Sequence, residues 1–317
     1  MQATLTSSVR RRFVAFFLAM PLLGAMFALP ACMNVQGAAG GGEKIIVSGA
    51  SGQLGGLVVE ELLARGVPAA NLILVSRTPE ELEKYQQMGA SARFGDFTKP
   101  ESLPAAYAGG KRMLLISIGG GAGPRPAAHK HSIDAAVAAG VKHIAYTSYV
   151  AISHGDTEGL ASDHFATEEI LKESGVAWTF LRNSIYSNGL VRQAAQMLAD
   201  GRVSVPPGEN RIGYVTREDC AAAAAAVLAT PGHENKIYDI TGPELIGPRE
   251  VAAAATAVTG TPIEVVTGDP NASAPRRPFG GPALAVTSND VALLTGRPST
   301  SVKALFEKHR EALGARP

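Results

Sequence analysis

The chain has 317 residues, 46% of them hydrophobic, and a formal net charge of +1. That is enough for one sizeable core with at most a small appended lobe. The near-zero charge gives no electrostatic footprint for nucleic acid, and the sparse aromatic residues are not interleaved with basic ones as base stacking requires.

In chain order, Arg10, Arg11 and Arg12 come first, then an apolar run over 13–31, Cys32, and a Gly/Ala-rich stretch over 33–42. A positive start, an apolar run and a small residue before a break are the layout of an export signal. Residues 1–31 are therefore expected to be a signal peptide or anchor, and 32–43 a flexible tether. Arg10-Arg11-x-Phe13 resembles a twin-arginine signal. Leu29-Pro30-Ala31-Cys32 resembles a bacterial lipobox with Cys32 as the lipidation site, Pro30 being unusual there. The expected location is the periplasm, with membrane contact only through this segment. An ordinary secretory signal, or an uncleaved anchor that leaves the domain facing the cytoplasm, stays open. The apolar run is just long enough to span a bilayer, but Pro21 and Pro30 make a poor spanning helix. With Cys32 lipidated, the other cysteine, Cys220, has no partner for a disulfide. Set between Asp219 and an alanine run, it reads as an inert helix residue.

A strand over 44–48 runs into Gly49-Ala50-Ser51-Gly52-Gln53-Leu54-Gly55 and then a helix carrying Leu57, Val58, Leu62 and Leu63. The sharp turn needs Gly49. Close backbone approach to a pyrophosphate needs Gly52, and tight helix–strand packing needs Gly55. The helix start offers free N–H groups to phosphates. Three glycines alone are weak evidence, but here a strand precedes, a helix follows and a second strand comes next. A twin-arginine route carries folded proteins, which suits one that loads a dinucleotide before export.

Strands are expected over 71–75, 92–94, 112–117, 143–147 and 177–181, and helices over 79–88, 100–108, 127–139 and 162–174. Buried apolar strands alternating with helices mean an α/β fold with a doubly wound parallel sheet of the Rossmann-like kind. Its ligand lies at the carboxyl ends of the strands. Beyond 183 the alternation breaks. Helices near 190–198, 217–228 and 248–258 are interleaved with short strands near 236–240 and 263–266, and a last helix covers 302–313. The expected domain spans 44–317, with 183–300 forming a small C-terminal substrate lobe too interrupted for a core of its own. The alanine runs 221–226 and 252–255 read as close-packing helices.

An acidic residue after the second strand would bind a ribose 2′-hydroxyl. This chain has Ser76-Arg77 instead, and a guanidinium suits a 2′-phosphate, so NADP(H) is favoured over NAD. Asp96, after the third strand, is placed to accept from the adenine amino group, or else to cap a helix.

Gly-Ala-Ser-Gly-Gln-Leu-Gly (49–55), Gly95-Asp96, Leu-Leu-Ile-Ser (114–117), Gly-Val-Lys-His-Ile-Ala-Tyr-Thr-Ser (140–148), Asp163-His164-x-x-Thr167-Glu168 and Thr-Phe-Leu-Arg-Asn (179–183) together resemble the NmrA-like atypical short-chain dehydrogenase/reductases. The resemblance is nearest to the bacterial NAD(P)H:quinone oxidoreductase and triphenylmethane reductase branch. It covers about 44–268 and again 288–308. It implies a monomer or homodimer that takes hydride from NADPH. It places Gly49 to Gly55, Arg77, Asp96, Phe97, Ser117 and Ile118 on the cofactor. Thr147, Ser148 and Tyr149 flank the nicotinamide, as does the stretch from Asn183 to Tyr186. His164 lies on the helix opposite and is also counted among the residues on the cofactor. The short Pro/Gly/Arg stretch 269–282 stands where relatives carry a longer helical segment, which leaves the substrate open. The export signal is also unusual for a cytoplasmic quinone reductase.

Members of the wider superfamily use Tyr-x-x-x-Lys to shuttle a proton. Here Tyr107-Ala-Gly-Gly-Lys111 lies before the fourth strand and reads as coincidence, and the slots on the proper helix hold Leu160 and His164. Without that relay, hydride transfer to a quinone or cationic dye survives better than ketone reduction. The candidate catalytic residues are His164, Tyr149 and Asn183, with Tyr149 and Tyr186 lining the acceptor pocket. Each has a structural alternative, as a core or turn residue. His129-x-His131 does not read as a metal pair, because histidines two apart point to different helix faces. Ser148 has no base partner for hydrolysis. The leading function is an NADPH-dependent reductase of a quinone or similar small electrophile. The alternative is an NAD(P)-binding redox sensor with little catalysis, and the missing tyrosine argues against a sugar-nucleotide epimerase.

Overall fold

The computed structural model describes residues 42–119, 124–156, 158–205, 208, 210–268 and 282–314. The expectations for 1–31, for Cys32 and nearly all of the tether, and for most of the 269–282 stretch lie outside these residues. Among the described residues no helix is long and apolar enough to cross a membrane.

The strands are β1 Lys44–Ser48, β2 Leu72–Ser76, β3 Ser91–Phe94, β4 Gly110–Leu115, β5 His143–Tyr149, β6 Ala177–Asn183, β7 Arg202–Val205, β8 Lys236–Ile240 and β9 Glu264–Thr267. The helices are α1 Gln53–Ala64, α2 Glu83–Gln87, α3 Leu103–Tyr107, α4 Arg125–Ala138, α5 Leu160–Glu173, α6 Leu190–Asp200, α7 Arg217–Ala229, α8 Pro248–Thr259, α9 Asp290–Thr295 and α10 Val302–Lys308. Seven strands form one sheet in the order β3-β2-β1-β4-β5-β6-β8, every pair parallel. The order reverses beside β1, which puts a crevice between the carboxyl ends of β1 and β4.

The central strands are apolar on both faces because both are covered. Ile45 and Val47 of β1 join the core under α1 and α7. Ile46 joins the opposite core with Leu103, Ile133 and Leu171 of α3, α4 and α5. The alanine run of α7 is buried throughout and packs on α1, as its composition predicts. Cys220 is wholly buried there, and burial pushes its thiol far above the ordinary range, which leaves it inert.

The stretch 183–300 is not a single lobe. α7 and β8 belong to the main layer, with β8 paired to β6 in register Leu181↔Tyr238. The remaining elements share a separate apolar cluster with the last helix. Leu190, Ala194 and Met197 of α6 meet Val251 and Ala255 of α8 and Leu305 and Phe306 of α10. β7 and β9 pair beside it. The expected helix over 302–313 ends at Lys308 and continues as a tighter turn, Arg310–Leu313.

Candidate active site

Gly49 follows β1 with φ +94°, a left-handed conformation that glycine adopts without strain. The N–H groups of Gly49 and Ala50 both donate to the Val75 carbonyl, at 2.9 and 3.0 Å, which pins the loop to the end of β2. A side chain on Gly55 would strike the Gly49 carbonyl and come within 2.8 Å of the Ala50 Cα, so only glycine packs there. Gly52 precedes α1 in extended conformation, with no side-chain cap and no acidic residue in the first turn. That start is an anion cradle by its own chemistry. Gln53 is exposed at its rim, and Leu54 is turned into the core.

Next to the cradle three hydroxyls converge. Ser51 Oγ is 2.6 Å from Ser76 Oγ, and Thr78 Oγ1 is 3.3 Å from Ser76 and 3.4 Å from Ser51. Arg77 stands exposed between Ser76 and Thr78. Hydroxyls that can all donate, beside a free guanidinium, suit a dianion. The Asp96 carboxyl is held below its ordinary range. Burial opposes this, but the Thr98 backbone and hydroxyl both donate to Oδ1, and Arg77 and Lys99 add their charge. Neither bond uses Oδ2. Phe97 does not face this site; its side chain is buried edge-on against the His129 ring.

Across the sheet the polar groups are buried. The Ser117 N–H donates to Thr147 Oγ1 at 2.8 Å and the Ile118 N–H to His129 Nε2 at 3.2 Å, so the end of β4 is tied to β5 and α4. Arg125 bonds the Ile118 carbonyl and the Asp163 carboxylate. His164 projects from α5 toward the sheet, 2.8 Å by Nδ1 from the Tyr146 hydroxyl and with its ring centroid 5.8 Å from that of Tyr149. Burial pushes both His129 and His164 down to about 3, so both are neutral. His131, two residues along α4 from His129, is exposed.

Ser148 points away from the crevice. Its hydroxyl donates to the fully buried Glu168 at 2.6 Å, and Glu168 also takes two bonds from Arg182, at 2.9 and 2.6 Å. The Ser148 hydroxyl is thus committed to Glu168. Tyr107 and Lys111 form no relay. Tyr107 is wholly buried and bonded to Ser48 and Ser132, its hydroxyl pushed up to about 12 by burial. Lys111 sits at the opposite end of the sheet, near the start of β4. In the helix slots, Leu160 is exposed and His164 buried.

Asn183 ends β6, opposite Tyr149 in register. Its Oδ1, and the hydroxyls of Ser184 and Ser187 just beyond it, are buried with no partner among the described residues. Three orphaned polar atoms on one turn are what a ligand bearing an amide would satisfy. Tyr186, half-buried on the same turn, carries Arg217 4.8 Å above its ring. With the glycine cradle and the hydroxyl cluster, these groups fit a dinucleotide lying across the carboxyl edge from β2 to β6.

The sequence pointed to neither Thr78 nor the Tyr146–His129–Thr167 cluster. Thr78 was legible as the residue after Ser76-Arg77. The cluster depends on α4 and α5 lying side by side over β5, which no local pattern gives.

Residues 49–231 match the NAD(P)H-binding family. Quinone oxidoreductase 2 of Escherichia coli (strain K12) is 38% identical over 221 residues, 69% of this chain and 76% of that protein. An NAD(P)H azoreductase of Xenophilus azovorans is 30% identical over 224 residues, 70% of this chain and 76% of that protein. The crystal structure of Citrobacter sp. triphenylmethane reductase complexed with NADP(H) superposes with a TM-score of 0.74 at 33% identity, covering 84% of this chain and 99% of that one.

Proposed function

Because the chain belongs to the NAD(P)H-binding family, in its NmrA-like branch of quinone and dye reductases, we propose that it is an NADPH-dependent reductase that delivers hydride to a quinone or similarly electrophilic acceptor. The observation that carries this reading is the pairing of the Ser51–Ser76–Thr78 hydroxyls and Arg77 at one end of the crevice with the orphaned Asn183 Oδ1 at the other. The start of α1 would hold the pyrophosphate and the hydroxyl cluster the 2′-phosphate. Asp96 Oδ2 would take the adenine amino group, and Asn183 Oδ1 the carboxamide N–H. A reduced nicotinamide held there would supply two electrons and one hydrogen, as hydride, to the quinone, and water would supply the remaining proton.

The protein's own contribution is position and polarity. Tyr149 and Tyr186 wall the acceptor side. Leu160 and His164 in the relay slots supply no phenol, which favours an acceptor whose product is stable as an anion. Resemblance to the azoreductase and the triphenylmethane reductase supports the same class. A redox sensor is the second reading, favoured by that missing phenol. NADPH consumption with a panel of benzoquinones and naphthoquinones, followed by absorbance, separates the two. Turnover supports the reductase; tight NADPH binding without turnover supports the sensor.

We also propose export of the folded protein through the amino-terminal arginine pair, with Cys32 as the lipidated residue. Fusing residues 1–45 to a reporter active only outside the cytoplasm tests this, and a silent reporter sinks it.

A further inference from the structure

On the reductase reading given above, we propose that His164 is held as a neutral Nε2–H donor toward the acceptor oxygen, its tautomer set by Tyr146 and His129 packed beneath it. A backbone N–H can only donate, and that of Ile118 lies 3.2 Å from His129 Nε2, so this nitrogen carries no hydrogen. His129 is neutral, so its hydrogen sits on Nδ1, 3.0 Å from Thr167 Oγ1. Thr167 in turn donates to the Asp163 carbonyl at 2.9 Å. The Tyr146 hydroxyl reaches two ring nitrogens, His129 Nδ1 at 3.5 Å and His164 Nδ1 at 2.8 Å. The first is already a donor. Thr167 also faces the phenol, so the assignment rests on the 2.8 Å contact: the phenol hydrogen goes to His164 Nδ1, and the hydrogen of His164 is left on Nε2.

Nε2 is neither bonded to a described residue nor sealed from solvent. The groups around this ring are Tyr149, His129, Tyr146 and the Arg125–Asp163 pair. Glu168, on the same helix, is held by Arg182 and Ser148. Burial first, and then the Arg125 charge, keep His164 from protonating at neutral pH. A neutral imidazole N–H stabilises a developing oxyanion without surrendering its proton. The hydroquinone monoanion left by hydride transfer is served by that; water completes it. The alkoxide of a simple ketone, which needs a proton at once, is not. Tyr146 and His129 are positioning residues in this arrangement.

The test uses protein labelled with 15N-histidine and long-range proton–nitrogen correlation, with His164→Gln identifying the signal. The expected spectrum shows hydrogen on His164 Nε2 and none on Nδ1 from pH 5.5 to 8.5, and Tyr146→Phe abolishes that single pattern. In steady state, His164→Leu lowers kcat for a benzoquinone about 10- to 100-fold while the KM for NADPH holds. His164→Gln, whose amide reaches toward the Nε2 position, recovers part of that loss. Hydrogen on Nδ1 in the wild type, an imidazolium in that pH range, or an unchanged tautomer in Tyr146→Phe overturns the proposal, whether or not quinone turns over. NADPH binding without quinone turnover overturns the reductase reading instead, while the spectra still decide the tautomer.

Discussion

The two ends of the crevice are built in opposite ways. At the adenosine end the groups are close in sequence and near the surface: a glycine loop, three hydroxyls and an exposed Arg77. At the end proposed for the nicotinamide they are buried and drawn from α4, β5, α5 and β6, and His129, Tyr146, Ser148 and Glu168 are bonded to partners far along the chain, while Asn183 Oδ1 and the Ser184 and Ser187 hydroxyls have none among the described residues. Water competes for the first set until a ligand arrives. Most of the second set is shut off from water in the folded state. Variants at the adenosine end should therefore change affinity, and variants at the nicotinamide end should also change stability.

The largest break in that comparison comes from Glu168→Ala. It leaves the Arg182 guanidinium, whose side chain is 12% exposed, without its carboxylate. A loss of about 3–5 kcal/mol in unfolding free energy is expected, read from urea denaturation. A loss under ~1 kcal/mol would mean that the pair is solvated and the end less buried than described. Arg77→Glu comes next. It should weaken NADPH binding about 10- to 100-fold, leave NADH binding nearly unchanged and not move the thermal midpoint. Equal loss for both cofactors would place Arg77 away from the 2′-phosphate.

Acidification sharpens the contrast further. His129 and His164 are pushed down to about 3 and His143 to about 4, all by burial, from an ordinary value of 6.5. The unfolded chain therefore binds protons first as pH falls through 6.5. The stability these groups contribute is complete above that pH and declines toward their folded values. At pH 5.5 each costs about 1.4 kcal/mol. Urea midpoints measured from pH 7.5 to 5.5 should fall, and His129→Gln should flatten the slope. The smallest effect is at Thr78→Val. It removes one hydroxyl from the cluster while the Thr78 backbone bond to Ser76 survives. NADPH affinity should drop about 2- to 10-fold with no change in unfolding.

The same contrast explains what the sequence disclosed. The glycine turn, Arg77 and Asp96 were legible because each acts through its neighbours in the chain. The apolar strands and the alanine helix were legible because burial on every side leaves a compositional trace. β7 was missed because its four residues alternate in burial and its partner, β9, lies far along the chain. The Ser148–Glu168 bond was not foreseen, although strand alternation pointed to it. Ala145 faces the core under α1 and α7, Tyr146 faces the opposite core, and Ser148 shares the face of Tyr146. Phe97 followed Asp96 too closely to be separated from it without seeing α4. The His129–Tyr146–His164 cluster joins three elements whose contacts exist only once the sheet is wound.

The alanine helix α7 has one more consequence. It lies against α1, and the Arg65 guanidinium at the far end of α1 bonds the Ala222 carbonyl. Alanine has no rotamers, so this seam cannot absorb an added methylene by turning a side chain aside. α1, which packs along this helix, begins at the glycine turn proposed to hold the phosphates. A conservative Ala224→Val, touching no ligand, would act as a shim behind a bearing: its effect would appear as a displaced cradle.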